Sequence, residues 1–433
     1  MKNENNKSNR TCSGDGNTSF PVITRGKARI LFLFLLSFLI APFSGCQNDD
    51  PPEPIHLDQK SAALVESSNT FGFDFFETLM AGESAEKNVL VSPLSISQAL
   101  SMTLNGASGN TLIEMQNVLG HKDLLEDEIN SGNKAIVDAL LSHDPKVELN
   151  IANSIWYRND LPPKNSFVNV NKNYYAAEVN AWNPADTEKA KNDINRWVDT
   201  KTKGKIDEII GEVKSDDLMF LINAVYFKAK WKTEFKKTAT SPMNFQLENG
   251  VEKEVPTMMG KIPLSYYNAE TYSVIELPYG AGKFNLLIYL PEEGFTTDDI
   301  LPDLKNTDFA QLKSLTPAER EIWLPKFEFS YKNELTDELK ALGMQDAFLP
   351  YVADFSRMTD LEVYISEVNH KTYIKTDEEG TEAAAATSVT IGLTSIGPGE
   401  IIRVDRSFLF AIVEEDTRSV LFIGKVFDPT LKE

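Results

Sequence analysis

The side chains that most often carry catalysis or bind metals are sparse in this sequence. It contains two cysteines and four widely separated histidines: Cys12, Cys46, His56, His121, His143 and His370. Two cysteines cannot build a disulfide framework or a cysteine-rich zinc site, and no two histidines have the spacing of a zinc motif. Phosphate-binding, dinucleotide-binding and nucleophile-elbow motifs are also absent from the sequence. We therefore expect no metal, no cofactor and no enzymatic activity.

A second feature with chemical meaning is a tract near the C-terminus that is rich in small and β-branched residues, 377–399. Its odd positions from 381 to 393 carry no charge, and the first four of them are small. Period-two alternation of this kind predicts a strand with one buried face. Gly392, Gly397, Pro398 and Gly399 instead favour an exposed loop. Taken alone, the tract would be interpreted as a linker of small residues, but the same sequence is compatible with a loop and with a strand.

The N-terminus has the features of a targeting segment. Residues 30–43 are apolar apart from one serine, and three basic residues precede them. This run is shorter than the roughly 20 residues of a membrane-spanning helix, and it fits the core of a signal peptide. Ser44 and Gly45 before Cys46 resemble the lipobox of bacterial lipoproteins, which implies cleavage before Cys46 and lipid attachment to it. The alternative is an ordinary secretory signal followed by an incidental cysteine.

The composition of the whole chain indicates its general class. The 433 residues are 42% hydrophobic and carry a net charge of −21. These values indicate a globular protein whose acidic surface repels nucleic acid. Three apolar stretches predict strands, at 218–227, at 284–290 and, as a hairpin, at 407–426. Because helical patterns lie between them, and because no linker follows residue 61, we expect a single α+β domain over 61–433.

Several ordered motifs of this domain resemble the serpin family. They occupy residues 88–96, 223–231, 276–279, 324–327 and 405–410, and the hinge sequence at 378–387 matches the inhibitory pattern at every position. The resemblance implies three β-sheets, eight or nine helices and an exposed reactive loop at about residues 377–400. It covers about residues 61–433, the serpin domain, and the N-terminal features described above add a lipoprotein signal peptide at 1–45 and an acidic and proline-rich tether at 46–60.

The resemblance also implies a mechanism and assigns residues to it. A target protease cleaves the loop and is trapped as an acyl-enzyme, while the freed hinge enters the main sheet as a new strand. The hinge residues are Glu379, Gly380, Thr381, Glu382, Ala383, Ala384, Ala385, Ala386 and Thr387. Counting fourteen residues from Gly380 places the cleaved bond at Thr394-Ser395, with Leu393 and Ile396 as alternatives because the loop is two residues longer than in many members.

Further positions match the region where the family's main sheet parts. These positions, expected to form a hydrogen-bonded shutter with an aromatic above it, are Ser92, Ser95, Asn223, His370 and Trp231. A catalytic pair of Ser92 with His370 is the competing hypothesis, but no carboxylate has the spacing to complete it. A hydrogen-bonded structural role explains the histidine and is the preferred interpretation.

The loop sequence limits the expected targets. No Lys or Arg occurs from Thr376 to Ile402, so a trypsin-like site would find no cation. We expect elastase-like, subtilisin-like or papain-like proteases as partners, and no heparin activation because residues 122–143 lack a basic helix. A non-inhibitory binding or carrier serpin, a surface adhesin and a hydrolase are the alternatives. The protein is expected to be a monomer, lipid-anchored through Cys46 outside the cytoplasm, at the outer membrane and surface-exposed.

Overall fold

Helices and strands are interleaved along the chain. The computed structural model describes residues 52–307, 309–381 and 401–432, which belong to one compact unit. The helices are α1 (Gln59–Gly82), α2 (Pro93–Leu104), α3 (Gly109–Val118), α4 (Glu126–Ser142), α5 (Asn165–Tyr175), α6 (Thr187–Lys201), α7 (Thr297–Ile300), α8 (Phe309–Ser314) and α9 (Thr336–Ala341). None of the helices in these ranges combines the length and the apolar character that crossing a bilayer requires.

Fifteen strands accompany these helices in the described ranges. They are β1 (Val89–Val91), β2 (Val147–Arg158), β3 (Glu178–Trp182), β4 (Met219–Lys230), β5 (Ser241–Gln246), β6 (Glu252–Asn268), β7 (Tyr272–Tyr279), β8 (Phe284–Pro291), β9 (Ala318–Pro325), β10 (Phe327–Glu334), β11 (Asn369–Asp377), β12 (Gly380–Thr381), β13 (Ile401–Arg403), β14 (Phe408–Glu414) and β15 (Val420–Val426). The strands predicted at 218–227, 284–290 and 407–426 are confirmed as β4, β8 and the β14–β15 hairpin.

Six strands form one sheet in the order β10-β11-β12-β4-β2-β3. The polar helix α6 lies across this sheet and packs Ile194 and Val198 against β2 and β4. Only three residues of this polar helix are buried, so α6 contacts the sheet through a narrow apolar stripe. The inner face packs on the core.

The other strands form a nine-stranded array in which the long strand β6 belongs to two parts. Its first half pairs with β5 and β9, and β9 pairs in turn with β13. Its last residues pair with β7, which begins the series β7-β8-β14-β15-β1. With the six-stranded sheet, these two parts make three β-sheets, the number that the resemblance of the sequence motifs implies. Strand β8 is buried at every position, because it is covered on both faces.

Helix α2 connects the sheets. Ser92 caps its N-terminus by accepting a hydrogen bond from the Ser95 N–H at 3.2 Å, and Pro93 occupies its first turn. All but one of its residues are buried, because it contacts β4 on one side and β15 on the other. This position allows its polar side chains to reach both sheets.

Candidate functional site

The most informative feature of the six-stranded sheet is the boundary between β4 and β11, which we call the seam. Strand β12 lies in it and pairs antiparallel with both neighbours: Gly380 is opposite Lys230 and Asp377, and Thr381 is opposite Ala229. Beyond these two residues, no strand pairing joins β4 to β11 anywhere in the described ranges. The seam is therefore filled by a strand at one end only.

Gly380 fits the seam because it has no side chain. Its φ of +146° lies in a region that other residues rarely adopt. A Cβ atom at this position would lie 2.1 Å from the carbonyl oxygen of Ala229 and 2.6 Å from the Cα of Lys230. Both are backbone atoms of β4 and cannot rotate away, so a glycine is required for this approach.

Thr381 points from the seam into the space between the sheets. Its side chain is buried, and its hydroxyl lies 2.6 Å from the Tyr279 hydroxyl and 3.3 Å from that of Thr376. The Trp231 ring stacks on Tyr279 with 4.5 Å between ring centroids, and its Nε1–H donates to the Asp377 carbonyl at 2.8 Å. Thus Trp231 and Tyr279 form an aromatic wall at the occupied end of the seam.

Two buried carboxylates precede the glycine. Glu378 accepts hydrogen bonds from Lys326 at 2.8 Å and from the Thr240 hydroxyl at 2.7 Å. Burial by itself would raise the pKa of Glu378, but these two donors bring it below its ordinary value. Glu379 is paired with Lys237 in the same way. The turn before β12 is therefore held by charge pairs, while the residues within the seam carry no charge.

A second cluster lies further along the seam, beneath both of its edges. The Ser92 N–H donates to His370 Nε2 at 3.1 Å on β11, and the Ser95 hydroxyl donates to Asn223 Oδ1 on β4. Asn223 in turn donates to Asn153 Oδ1 at 2.7 Å. Because Ser92 and Ser95 both belong to the start of α2, this helix connects the two edges of the seam through polar contacts.

This geometry does not provide a nucleophile and its base. It is the backbone N–H of Ser92 that faces the imidazole, while the Ser92 hydroxyl donates to the Leu421 carbonyl at 2.7 Å. Burial lowers the pKa of His370 to about 4, so the ring is neutral at pH 7. His370 acts as a structural acceptor at this position, and the hydrolase hypothesis has no support from it.

The identity of the fold follows from comparison with known proteins. The family model described as serpin (serine protease inhibitor) matches residues 66–429, which is most of the chain. The chain belongs to the serpin family. The serpin fold expected from the sequence motifs is thereby confirmed.

Serpins from distant organisms resemble the chain over nearly its whole length. A serpin-like protein of Methanosarcina acetivorans is 32% identical over 93% of this chain and 96% of its own, and serpin A3-5 of Bos taurus is 32% identical over 93% and 98%. Among solved structures, native tengpin, a thermophilic serpin, has a TM-score of 0.77 at 34% identity, covering 88% of this chain and 97% of tengpin. Human thyroxine-binding globulin, solved in complex with thyroxine, has a TM-score of 0.78 at 30% identity, covering 86% of this chain and 100% of the globulin chain.

Part of the serpin site expected from the sequence falls within the described residues. Ser92, Ser95, Asn223 and His370 lie together, while Trp231 lies with Glu379, Gly380 and Thr381 at the filled end of the seam. The other expected residues lie outside the described ranges: Cys46, Glu382, Ala383, Ala384, Ala385, Ala386, Thr387, Leu393, Thr394, Ser395 and Ile396.

The sequence analysis missed several contributors to these clusters, including Asn153, Thr240, Tyr279 and Lys326. Tyr279 and Lys326 lie within motifs that identified the family, so their positions could have been examined. Asn153 and Thr240 carry no local signal, because each meets its partner through long-range pairing.

One group of side chains could be considered for metal binding in the described ranges. His143 Nε2 lies 3.0 Å from Glu414 Oε1 and 3.0 Å from Asp416 Oδ2. A search for local histidine spacing could not detect this group, since His143 is far from Glu414 and Asp416 in the sequence. The Lys283 ammonium already lies 3.0 Å from Asp416 Oδ2. These residues form an ion-pair network in which the positive charge is supplied by the protein.

Proposed function

We propose that this serpin is an inhibitor that traps serine proteases, and papain-like cysteine proteases, by loop cleavage and hinge insertion. The protease attacks the Thr394 carbonyl, the peptide bond to Ser395 breaks, and the Ser395 amine leaves with a proton. The enzyme stays joined to Thr394 by an ester, or by a thioester for a cysteine protease. Insertion of the freed hinge along the seam then carries it away before water can hydrolyse the bond.

The observation that carries this proposal is the position and register of β12. If the strand continues in the register set by Gly380 opposite Lys230 and Asp377, Thr387 arrives between Asn223 and His370. The polar cluster beneath the seam therefore lies at the level that the end of the hinge would reach. Continuing to Thr394 adds fifteen residues from Gly380 and moves the bound protease on the order of 50 Å.

The face of the hinge that would enter the interior supports the same proposal. Thr381 faces the space between the sheets, so the odd positions that follow would face it too. Ala383, Ala385 and Thr387 are small and uncharged, and the energetic cost of burying them is low. A charge on this face would lose its hydration without gaining a partner.

A carrier function is the second candidate, because thyroxine-binding globulin has the same fold. The fold alone does not separate the two functions, so the decision rests on the hinge. A carrier has no need of an uncharged interior face, and this chain keeps one over seven successive odd positions, 381 to 393, of which the first four are small. We therefore place inhibition first.

We also propose that the protein is attached to the outer membrane through Cys46 and faces outward. The lipobox-like Ser44-Gly45-Cys46 supports lipid attachment, and Asp49-Asp50 supports export to the surface. From this location the inhibitor would protect the cell against proteases of a host or of competing organisms.

Trapping is tested by mixing the purified protein with pancreatic elastase, subtilisin or papain and running a denaturing gel. An SDS-resistant band at the summed mass, together with loss of protease activity, is expected with at least one of them. Mass spectrometry of the released C-terminal fragment then identifies the cleaved bond, and a fragment beginning at Ser395 is expected. Complete loop cleavage with fully active protease in every mixture would instead favour the carrier function.

A further inference from the structure

The segment that follows the reactive bond is short, which restricts where a docked protease can lie. Ser395 precedes Ile401, the first residue of β13, by six residues. Six residues span at most about 20 Å when fully extended. A protease domain of about 230 residues has a radius of gyration near 17 Å, so its body must extend over the surface around β13. The alternative bonds at Leu393 and Ile396 change this reach by only one or two residues.

An open groove lies in this surface. It has a volume of about 360 Å³ and lies where β5, β6, β9 and β13 meet. Its lining includes Met243, Asn244, Thr257, Trp323, Arg403 and Asp405. It therefore offers an apolar floor, hydrogen-bonding groups and a positive charge in one place.

Arg403 gives the groove its chemical character. Its guanidinium lies 4.9 Å from the centre of the Trp323 ring, a cation–π contact that holds the side chain over the groove. Arg403 is exposed, and within the described ranges no carboxylate lies at ion-pair distance from it. The nearby Asp405 is paired with Arg406 at 3.0 Å. Arg403 is thus a preorganised cation that the described part of the chain does not neutralise.

Arg403 is a positive charge on a protein that is strongly negative overall. The net charge is −21, and Arg403 is the first basic residue after the reactive bond. An acidic group on an approaching protease is repelled by most of the surface and attracted locally by Arg403. A planar guanidinium on an aromatic ring is also suited to bidentate contact with a carboxylate.

We propose that the Arg403–Trp323 groove is a docking site for the target protease in the complex that precedes cleavage. It accepts a protease surface loop that carries an acidic side chain next to an apolar one, beside the subsites that bind the residues after the cleaved bond. This inference rests on the inhibitory function proposed above and adds a determinant of target choice outside the loop. The groove contributes to association and leaves the later insertion step unchanged.

The test compares variants against each protease that the wild-type protein traps. Arg403→Ala is expected to lower the second-order rate constant of inhibition about threefold, and Arg403→Glu about tenfold, with unchanged stoichiometry of inhibition. The dependence of the rate on salt should weaken in Arg403→Ala, because an attractive charge pair is lost. Trp323→Leu should lower the rate through the loss of the aromatic support. Lys172 on α5 is exposed and has no ion-pair partner in the described ranges, so Lys172→Glu is the matched control and should leave the rate unchanged.

Binding without cleavage separates docking from the later steps. A trapped protease with its nucleophile replaced by alanine should bind the Arg403→Ala variant about threefold more weakly than it binds the wild-type protein. Wild-type rates in both Arg403 variants, or an equal loss in Lys172→Glu, would overturn the docking site while leaving the inhibitory function intact. A changed stoichiometry with unchanged affinity would overturn it as well, because Arg403 would then act on insertion. Failure of the wild-type protein to trap any protease would overturn the proposed function, and the docking site with it.

Discussion

At the scale of single residues, Gly380 is the position in the seam at which a larger side chain is least tolerated. Its missing side chain lets β12 approach the backbone of β4, and its positive φ adds a second constraint. We predict that Gly380→Ala displaces β12 from the seam and slows insertion. The stoichiometry of inhibition should rise at least twofold, because more of the acylated protease hydrolyses its ester before it is carried away. Gly250, which lies on an open turn, also has a positive φ but nothing near its Cβ position, so Gly250→Ala controls for conformational strain alone.

His370 provides a prediction about pH at the same scale. Burial lowers its pKa from 6.5 to about 4, and its Nε2 accepts a hydrogen bond that a protonated ring could not accept. The unfolded chain therefore binds a proton more readily between these two pH values. The stabilisation is complete above about pH 6.5 and is lost as the pH falls towards 4, by about 3 kcal/mol at most.

The variant His370→Gln isolates this contribution. Glutamine offers an acceptor to the Ser92 N–H but does not titrate, so its melting temperature should fall less between pH 7 and pH 4.5 than that of the wild-type protein. The pKa of His121 is also lowered by burial, but it is present in both proteins and cancels in the comparison. If the melting temperatures of the wild-type protein and the variant fall by the same amount between pH 7 and pH 4.5, His370 does not titrate as inferred.

At the scale of elements, the extension of β12 along the seam decides between inhibitor and substrate. We predict that Ala385→Glu, or Thr381→Arg, converts the protein from an inhibitor into a substrate, because each places a charge on the interior face of the inserted strand. Ser388→Glu is the matched control, because residue 388 would face outward in the same strand. The measurement is the ratio of complex to cleaved protein on a denaturing gel. Equal ratios for Ala385→Glu and wild type would contradict the assigned face.

At the scale of the whole molecule, the seam of the six-stranded sheet is filled only at the β12 end among the described residues, which predicts that the intact protein is less stable than the cleaved one. In the proposed mechanism, cleavage of the loop lets β12 lengthen, which would add strand pairing to both β4 and β11. We predict that the cleaved protein unfolds at a temperature at least 20 °C above that of the intact protein, measured by circular dichroism. The Ala385→Glu variant, cleaved in the same way, should gain much less. An unchanged melting temperature after cleavage would argue against a metastable native state.

The tether makes a separate prediction at this scale. Cys46→Ser should abolish acylation and release the protein from the membrane fraction, because a lipid-modified cysteine is the proposed anchor. Antibody labelling of intact cells tests the outward location, and Asp49→Ala with Asp50→Ala should reduce the signal. A signal that appears only after lysis would contradict the surface location without affecting the inhibitory mechanism.

The sequence by itself determined the class of fold, the main strands and the serpin family. The β4 and β8 stretches are apolar enough to require burial on both faces, and Ser92-Pro93 specifies a helix start through local chemistry. The motifs also identified Ser92, Ser95, Asn223 and His370 as residues expected to lie together. These inferences succeed because their physical causes act between residues that are close in the sequence or follow a short period.

Tertiary structure alone decided how these residues work. In the folded protein the backbone N–H of Ser92, rather than its hydroxyl, forms the hydrogen bond with His370. Asn153 and Thr240 likewise contact residues that are far away in the chain. The tertiary structure also placed Arg403 of β13 on Trp323 of β9. A hydrogen bond or a ring contact depends on distance and angle to within about half an ångström, and the register between distant strands sets those values. No pattern in the local sequence contains that register.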